Sequence, residues 1–340
     1  MRAVVFTLGC KVNEVESASI MAALENLGWE VSDNLSFADA YILNTCAVTR
    51  EAEKKSRQLI ARVKKFNPEA KIFVCGCASE KDAAAFESRN VTFVTGAKKK
   101  QEVLKAFTTI YGGVASKLPF PKQTKTRAFI KIQDGCNNFC SYCIIPYLRG
   151  REVSRPIDDI LAEINNTDSP EIVLNGINIS SYEGGLHKLI LSLKDVDKRI
   201  RLGSLECSAV SDDFLSALKN LKDFAPQFHL SLQSGSDAVL KAMNRRYTRA
   251  EYLAKCKSIY KYFPDAAITT DIIAGFATET EEDFLQSLSI IEEAGFARVH
   301  AFAFSPREGT AAFRLKAVPA DIKSERLHRL LSAAEIAAKK

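Results

Sequence analysis

The sequence of 340 residues contains no apolar stretch approaching the ~18 residues of a membrane span and no basic-then-apolar leader before its first strand-like run, RAVVFTL. It also lacks any internal repeat or low-complexity segment. Histidines are few, at positions 187, 229, 300 and 328, and the nine cysteines cannot all pair. These absences exclude a membrane-spanning, collagen-like, disordered or disulfide-stapled chain. With 46% hydrophobic and 26% charged residues, what remains is an ordinary globular protein. It is expected in the reducing cytoplasm, where thiols ligate metal or react more often than they pair. At roughly 100–200 residues per domain, the length implies about two domains, each able to bury a core.

What is present begins with a charge of +6, a weak pointer to an anionic partner when taken as an average. Its distribution is more informative. Between 117 and 155, the bases Lys117, Lys122, Lys125, Arg127, Lys131, Arg149, Arg151 and Arg155 face only Asp134 and Glu152. Such a run reads either as a solvated linker and loop or as a phosphate-contacting surface.

Along residues 1–112, apolar runs (AVVFTL, AYILNT, KIFVCG, VTFVTG) alternate with amphipathic stretches at 14–27, 51–66, 79–87 and 100–111. Strict alternation predicts an α/β domain with an open parallel sheet. Residues 113–126, with Gly, Pro and Lys but no periodicity, read as a linker. Alternation resumes with strands predicted at 128–133, 171–175, 201–204, 228–232, 267–273 and 298–304. Six βα units over 127–320 are two short of a closed eightfold barrel, so a partial barrel is expected, with its site at the C-terminal strand ends. A last helix is expected over 321–340, started by Pro319 and Asp321.

The strongest chemical signal is Cys136, Cys140 and Cys143, a C-x₃-C-x₂-C loop directly after a predicted strand. A structural zinc site takes four protein ligands, and no fourth cysteine or histidine lies nearby. Three thiolates suit a [4Fe–4S] cluster with one iron left open. Cys10, Cys46 and Cys77 each close a predicted strand of the first domain. In a parallel open sheet such ends gather at one crevice. They are candidates for a second cluster, against the alternative of buried core thiols. Cys75 rivals Cys77, which is preferred because it lies past Gly76 at the strand exit. Cys207 and Cys256 read as small buried side chains.

The loop IKIQDGCNNFCSYCIIPYLRGR resembles the signature of radical S-adenosylmethionine enzymes. In those enzymes the open iron chelates S-adenosylmethionine, and reductive cleavage gives a 5′-deoxyadenosyl radical. Over nearly the whole chain, a three-cysteine domain followed by such a barrel is similar to the methylthiotransferase family. Within it, TLGCKVNEVES and NTCAVTREAEKKSRQ look like the enzymes acting on N6-threonylcarbamoyladenosine at tRNA position 37. The resemblance implies methylthiolation of carbon 2 of that base, using two [4Fe–4S] clusters and S-adenosylmethionine. Cys136, Cys140 and Cys143 would bind the radical-generating cluster, and Cys10, Cys46 and Cys77 an auxiliary cluster carrying the sulfur. Implied partners are the tRNA anticodon loop, a reducing electron donor and a sulfur source, with no membrane. Alternatives are a relative acting on isopentenyladenosine or a ribosomal protein, a non-catalytic iron–sulfur RNA-binding protein, and a zinc protein.

The same resemblance suggests a cofactor pocket. It would be lined by Asn175, Gly176 and Asn178 in LNGINIS, by Ser204 and Glu206 in GSLE, and by His229, Ser231, Gln233 and Ser234 in HLSLQSGS. Arg245 would pair the cofactor carboxylate, and Asp271 and Gly275 would lie near the adenosine. Phe139 and Tyr142 would either stack on adenine or shield the cluster. Departures from the family pattern are Asn175, Cys207, Ala277 and Thr278, none of them an expected cluster ligand. Relatives continue past the final helix into a small all-β RNA-binding TRAM domain, whereas this sequence stops at Lys340.

Overall fold

The computed structural model of the chain describes residues 1–89, 91–114, 118–121, 123 and 126–338. Lys117, Lys122 and Lys125 of the basic stretch, part of the expected linker, and Lys339 and Lys340 lie outside the described residues. Two compact units result. The first comprises residues 1–131, 144–151 and 162–169, and the second 132–143, 152–161 and 170–340. Two short segments that follow the expected linker in sequence thus pack with the sheet unit.

The first unit contains β1 (Arg2–Thr7), α1 (Lys11–Asn26), β2 (Glu30–Ser32), β3 (Ala40–Thr45), α2 (Arg50–Lys64), β4 (Lys71–Gly76), α3 (Cys77–Lys81), α4 (Ala84–Glu87), β5 (Phe93–Val94) and α5 (Gln101–Tyr111). Its strands pair in the order β2-β1-β3-β4-β5, all parallel. Both faces of the sheet are buried, as a parallel sheet requires. Val4, Tyr41, Leu43, Ile72 and Val74 pack on one side, and Ala3, Val5, Ile42, Phe73 and Cys75 on the other. The order 2-1-3-4-5 reverses direction between β1 and β3, and open α/β sheets bind ligands outside the carboxyl ends of the strands at that switch point. The three-residue edge strand β2 was too short to register as a pattern. The single amphipathic stretch expected over 79–87 is two short helices.

The second unit is built on β6 (Arg127–Asp134), which begins in the first unit. In chain order β6 is followed by α6 (Ile145–Arg149), which belongs to the first unit, β7 (Val153–Ser154), α7 (Ile157–Asn165), whose last residues also belong to the first unit, β8 (Glu171–Gly176), α8 (Leu186–Ser192), β9 (Arg199–Leu202), β10 (Ser204–Leu205), α9 (Asp212–Lys219) and β11 (Gln227–Leu230). Then come α10 (Asp237–Ala242), α11 (Arg249–Tyr262), β12 (Ala267–Ala274), α12 (Glu281–Glu293), β13 (Arg298–Ala303) and α13 (Ala320–Ala337). Two sheets, β7-β6-β8-β9 and β10-β11-β12-β13, meet where only Gly203 separates β9 from β10. A side chain at Gly203 would bring a Cβ 2.9 Å from the Leu174 carbonyl oxygen, so glycine lets the chain pass between sheets. The result is the half-barrel of six strand positions expected from the alternation, with β7 as an antiparallel extra edge. On β12, Thr270 faces α11, where it meets Tyr252, while Thr269 and Asp271 face the opposite side with His229. Thr248 and Glu251 form a capping box that starts α11, and Thr280 and Asp283 do the same for α12. Among the described residues no helix is long and apolar enough to cross a membrane.

Candidate iron–sulfur and cofactor sites

In the sheet unit Cys10, Cys46 and Cys77 directly follow or lie just beyond β1, β3 and β4, three adjacent strands, at their carboxyl ends. Cys10 is the N-cap of α1 and is exposed, whereas Cys46 and Cys77 are buried. A Cβ placed on Gly9 would lie 3.1 Å from both Cβ and Sγ of Cys46, so the Cys10 turn passes against the Cys46 loop because residue 9 has no side chain. Gly76 has φ +107°, a conformation favoured only by glycine. That turn sends Cys77 into the core face opposite the one holding Cys75. Burial pushes the Cys75 thiol up to about 11.

The loops are fastened by polar side chains. The Asn13 amide donates to the carbonyls of Leu8 (2.8 Å) and Thr45 (3.2 Å), tying the Cys10 and Cys46 loops together. Ser56 binds both backbone groups of Cys46 at 3.0 Å. Thr45 Oγ1 donates to the Cys75 carbonyl (2.6 Å) and accepts from the Ser79 amide (3.3 Å). Below them, Glu16 accepts from Lys100, Lys131 (2.8 Å) and Arg149 (3.1 Å). Burial acts to raise the Glu16 pKa, but the three cations outweigh it and hold the carboxyl well below its ordinary range. Lys100 (3.3 Å) and Arg149 (2.5 Å) also donate to Asn13 Oδ1. Burial raises the Cys77 thiol, opposed chiefly by the Arg149 guanidinium and then by Lys100.

This corrects part of the reading of the basic stretch. Arg149 is 1% exposed and Lys131 21%, both turned onto Glu16, so neither offers a phosphate-contacting surface. Arg127 and Arg151 are exposed and Arg155 is half-buried.

In the barrel unit the Cys136–Cys143 loop leaves the end of β6. The backbone turn at 242–244 holds it: the Ser141 amide donates to Met243 O (3.0 Å), Ser141 Oγ to Ala242 O (2.7 Å), and the Asn244 amide to the carbonyls of Asn138 and Phe139 (3.1 Å each). Tyr142 packs edge-on against Phe276, with ring centroids 6.5 Å apart, in a cluster with Val239, Met243 and Phe304. That position screens the loop from water.

Beside the loop lies a cavity of about 220 Å³ lined by Asn138, Cys140, Asn178, Glu206, Arg245 and Tyr247, among others. Arg245 Nη1 is 2.8 Å from Glu206 Oε1 and 3.4 Å from Cys140 Sγ. Asn138 donates to the same Glu206 oxygen (2.7 Å), and Asn178 Nδ2 is 3.9 Å from Cys136 Sγ. Asn175 Nδ2 is buried with no protein partner. Thus Asn178, Glu206 and Arg245 gather at the loop. Gly176 has a packing reason instead: a Cβ there would lie 2.9 Å from Gln133 O. Ser231 contributes its carbonyl, which accepts from Arg245 (3.3 Å) and Tyr247 (3.0 Å). Gln233, at φ +73°, bridges β11 to β12 through backbone bonds to Asp271 and Ile273. Asp271 Oδ2 meets His229 Nε2 at 3.2 Å, and Ser204 sits opposite His229 in register. Buried Ser234 bonds Ser287, and the Gly275 amide donates to Glu279 (2.8 Å). Neither residue lines the cavity.

Among the described residues no three His, Cys, Asp or Glu side chains form a group suited to a single metal ion. A lone zinc draws its ligands to within about 2.0–2.3 Å of one point, whereas an iron–sulfur cluster is held by thiolates on separate irons. The donor set, thiolates alone in triads, fits an iron–sulfur cluster with one iron left open.

Residues 2–96 match the uncharacterized protein family UPF0004, and residues 130–291 match the radical SAM superfamily. Over 318 residues the chain is 42% identical to the threonylcarbamoyladenosine tRNA methylthiotransferase MtaB of Chlamydia pneumoniae, covering 90% of this chain and 75% of that one. The chain belongs to the radical S-adenosylmethionine methylthiotransferases. Another relative of these methylthiotransferases, the tRNA-2-methylthio-N(6)-dimethylallyladenosine synthase of Clostridium perfringens, is 37% identical over 359 residues, covering 96% and 80%. The fold is shared with the radical S-adenosylmethionine methyltransferase TsrM of Kitasatospora setae, at TM-score 0.64 and 10% identity over 89% of this chain and 72% of that one.

In this methylthiotransferase several residues around the two triads escaped the sequence reading. Asn13 and Ser17 stand in the same helical stripe as Ile20 and Leu24, and all four are buried. Polar residues at core-facing spacing were the available signal. Nothing in the sequence connects Lys100 or Arg149 to that stripe, and Asn138 and Tyr247 carried no signal beyond their neighbourhood to Cys140 and Arg245.

Proposed function

We propose that this methylthiotransferase acts on tRNA, placing a methylthio group on carbon 2 of N6-threonylcarbamoyladenosine. The reading is carried by two cysteine triads in one chain, the first at the carboxyl ends of three adjacent parallel strands and the second in the loop that leaves β6. We assign Cys136, Cys140 and Cys143 to the radical-generating [4Fe–4S] cluster, and Cys10, Cys46 and Cys77 to an auxiliary one. When bound, an open cluster iron with S-adenosylmethionine supplies the one-electron chemistry that an unactivated C–H bond demands, a bond with no useful pKa for a side-chain base.

The chain's own residues do the binding and orienting. Glu206 offers a carboxylate and Arg245 a planar donor fork to one cavity, a pair complementary to the ammonium and carboxylate of an amino acid. Asn175 adds an unmatched buried donor. Asn178 orients toward Cys136, and Tyr142 with Phe276 keeps the loop's inner side dry. The remaining proposed residues are Ser204 on β10, Gln233 just past β11 and Asp271 on β12, the strands along which the nucleoside part would lie. Gly176 serves by allowing β6 and β8 to approach.

The substrate choice rests on the motifs around Cys10 and Cys46 and on the name of the Chlamydia pneumoniae relative. The Clostridium perfringens relative supports dimethylallyladenosine as the second reading. Anaerobically reconstituted protein should hold about eight irons, falling to about four when either triad is replaced by alanine. A wild-type chain that saturates at four overturns the auxiliary assignment. Mass spectrometry of tRNA nucleosides from a deletion strain decides the substrate. Loss of the 2-methylthio form of threonylcarbamoyladenosine alone supports the proposal, and loss of the dimethylallyl form supports the second reading.

A further inference from the structure

A buried ionic cluster with no assigned role lies against the Cys10, Cys46 and Cys77 triad. Lys100 is 5% exposed and Arg149 1%, and both converge with Lys131 on one carboxylate, Glu16. Burying charge is expensive unless the groups are paired and hydrogen-bonded. Apolar side chains at these positions would satisfy the sheet packing without that cost. The arrangement is instead fixed at both ends: Glu16 pins Lys100 and Arg149 from one side, and Asn13 Oδ1 accepts from both on the other. Asn13 in turn binds the backbone immediately before Cys46 and two residues before Cys10. Cys77 packs in one buried cluster with Ile144 and Leu148, beside the helix that ends at Arg149, so the guanidinium and Lys100, joined at Asn13, are held on that side of the triad. Cys10 caps the N-terminus of the 16-residue α1, whose dipole adds positive potential on the same side.

We propose that Lys100 and Arg149, held by Glu16 and Asn13, are positioning residues that keep positive charge against the Cys77 side of the triad and so favour an anionic sulfur ligand on the group bound there. The inference rests on the auxiliary-cluster reading. A methylthiotransferase must deliver a sulfur atom, and sulfur binds metal as an anion. In a low-dielectric site a fixed cation a few ångströms away stabilises both that anion and an added electron. Glu16 opposes the effect while keeping the cations ordered, so the two kinds of residue should act with opposite sign.

The test uses the full chain with Cys136, Cys140 and Cys143 replaced by alanine, loaded anaerobically with iron and sulfide, so that only the first triad contributes. Two quantities are measured: the midpoint potential by redox titration followed by electron paramagnetic resonance, and the dissociation constant for added hydrosulfide. Lys100→Met should weaken hydrosulfide binding about tenfold and lower the reduced-to-oxidised ratio about tenfold, or about 59 mV for one electron. Glu16→Gln should shift both quantities the other way, and Arg149→Lys, which keeps the charge, should stay near the parent. Lys131→Met, at the rim, should give a smaller shift of the Lys100→Met sign, and it carries the test if Lys100→Met fails to fold. Lys100→Met (or Lys131→Met in its place) and Glu16→Gln chains that load four irons with both quantities within twofold of the parent overturn the inference. A parent that loads no iron overturns the auxiliary-cluster reading and the inference with it.

Discussion

Asn13 ties together the loops that carry Cys10 and Cys46, and its removal gives a quantitative test. Its side chain is 1% exposed and makes four hydrogen bonds: two donated to the Leu8 and Thr45 carbonyls, two accepted from Lys100 and Arg149. Neutral bonds contribute about 1 kcal/mol each, and bonds from charged donors about 1.5–3 kcal/mol. Lys100 and Arg149 keep their bonds to Glu16 when Asn13 is lost, so the charged pair counts at the low end. Asn13→Ala should therefore destabilise the sheet unit by about 5 kcal/mol, a shift of about 10–20 °C at about 2–4 °C per kcal/mol. The chain's single tryptophan makes the measurement specific to this unit. Trp29 is 8% exposed and packs 4.8 Å from Phe107 and 4.7 Å from Tyr111, so its fluorescence follows the unfolding of the sheet and not of the barrel. Urea titration of Asn13→Ala by Trp29 emission should show the loss, and bound iron should leave the first triad faster in the presence of a chelator. A decrease below about 1 kcal/mol, the value of a single ordinary hydrogen bond, refutes the account of Asn13 as the tie between the cysteine loops.

Two further outcomes follow from other parts of the molecule. Gly76→Ala would place a Cβ 2.4 Å from the Thr45 carbonyl at φ +107°, with a conformational penalty of about 1–2 kcal/mol before the clash is counted. The turn that directs Cys77 should be lost, leaving about four irons in place of about eight, and a full complement in Gly76→Ala refutes that role for the turn. In the barrel unit, burial pushes the Glu279 carboxyl up to about 7, against the pull of the Gly275 amide and Arg326. The folded chain then binds more protons than the unfolded one between about pH 4.5 and 7, so this group's contribution is full at acid pH and is lost as pH rises through that window. Denaturation followed by far-ultraviolet circular dichroism should show stability falling more steeply with pH in the wild type than in Glu279→Gln, by up to about 3 kcal/mol. Equal slopes refute the shifted carboxyl.

How far the sequence reached depends on the distance over which each feature is written. The strands KIFVCG and AITTDIIA were legible because a strand is specified within its own few residues, and strict alternation with helices then implied parallel sheets. The Cys136–Cys143 loop was legible for the same reason: its three thiols are spaced within eight residues. Cys10, Cys46 and Cys77 lie far apart in sequence and could be grouped only through topology, because strand ends of a doubly wound sheet meet at its switch point. Cys77 was separable from Cys75 because Gly76 marks the strand exit, and the structure supplies the reason in a positive φ that turns the chain to the other face. Topology does not reach the ionic cluster. Arg149 comes from a short helix lying beyond the cysteine loop, and Lys131 from the first half of a strand whose second half serves the barrel. Both looked like members of one basic surface because charge counts carry no direction. Only burial and the Glu16 carboxylate distinguish an arginine aimed at phosphate from one aimed at a thiol. Adjacent charges in this sequence therefore divide by destination: Arg151 remains exposed, while Arg149, two residues before it, is buried against Glu16 and Asn13.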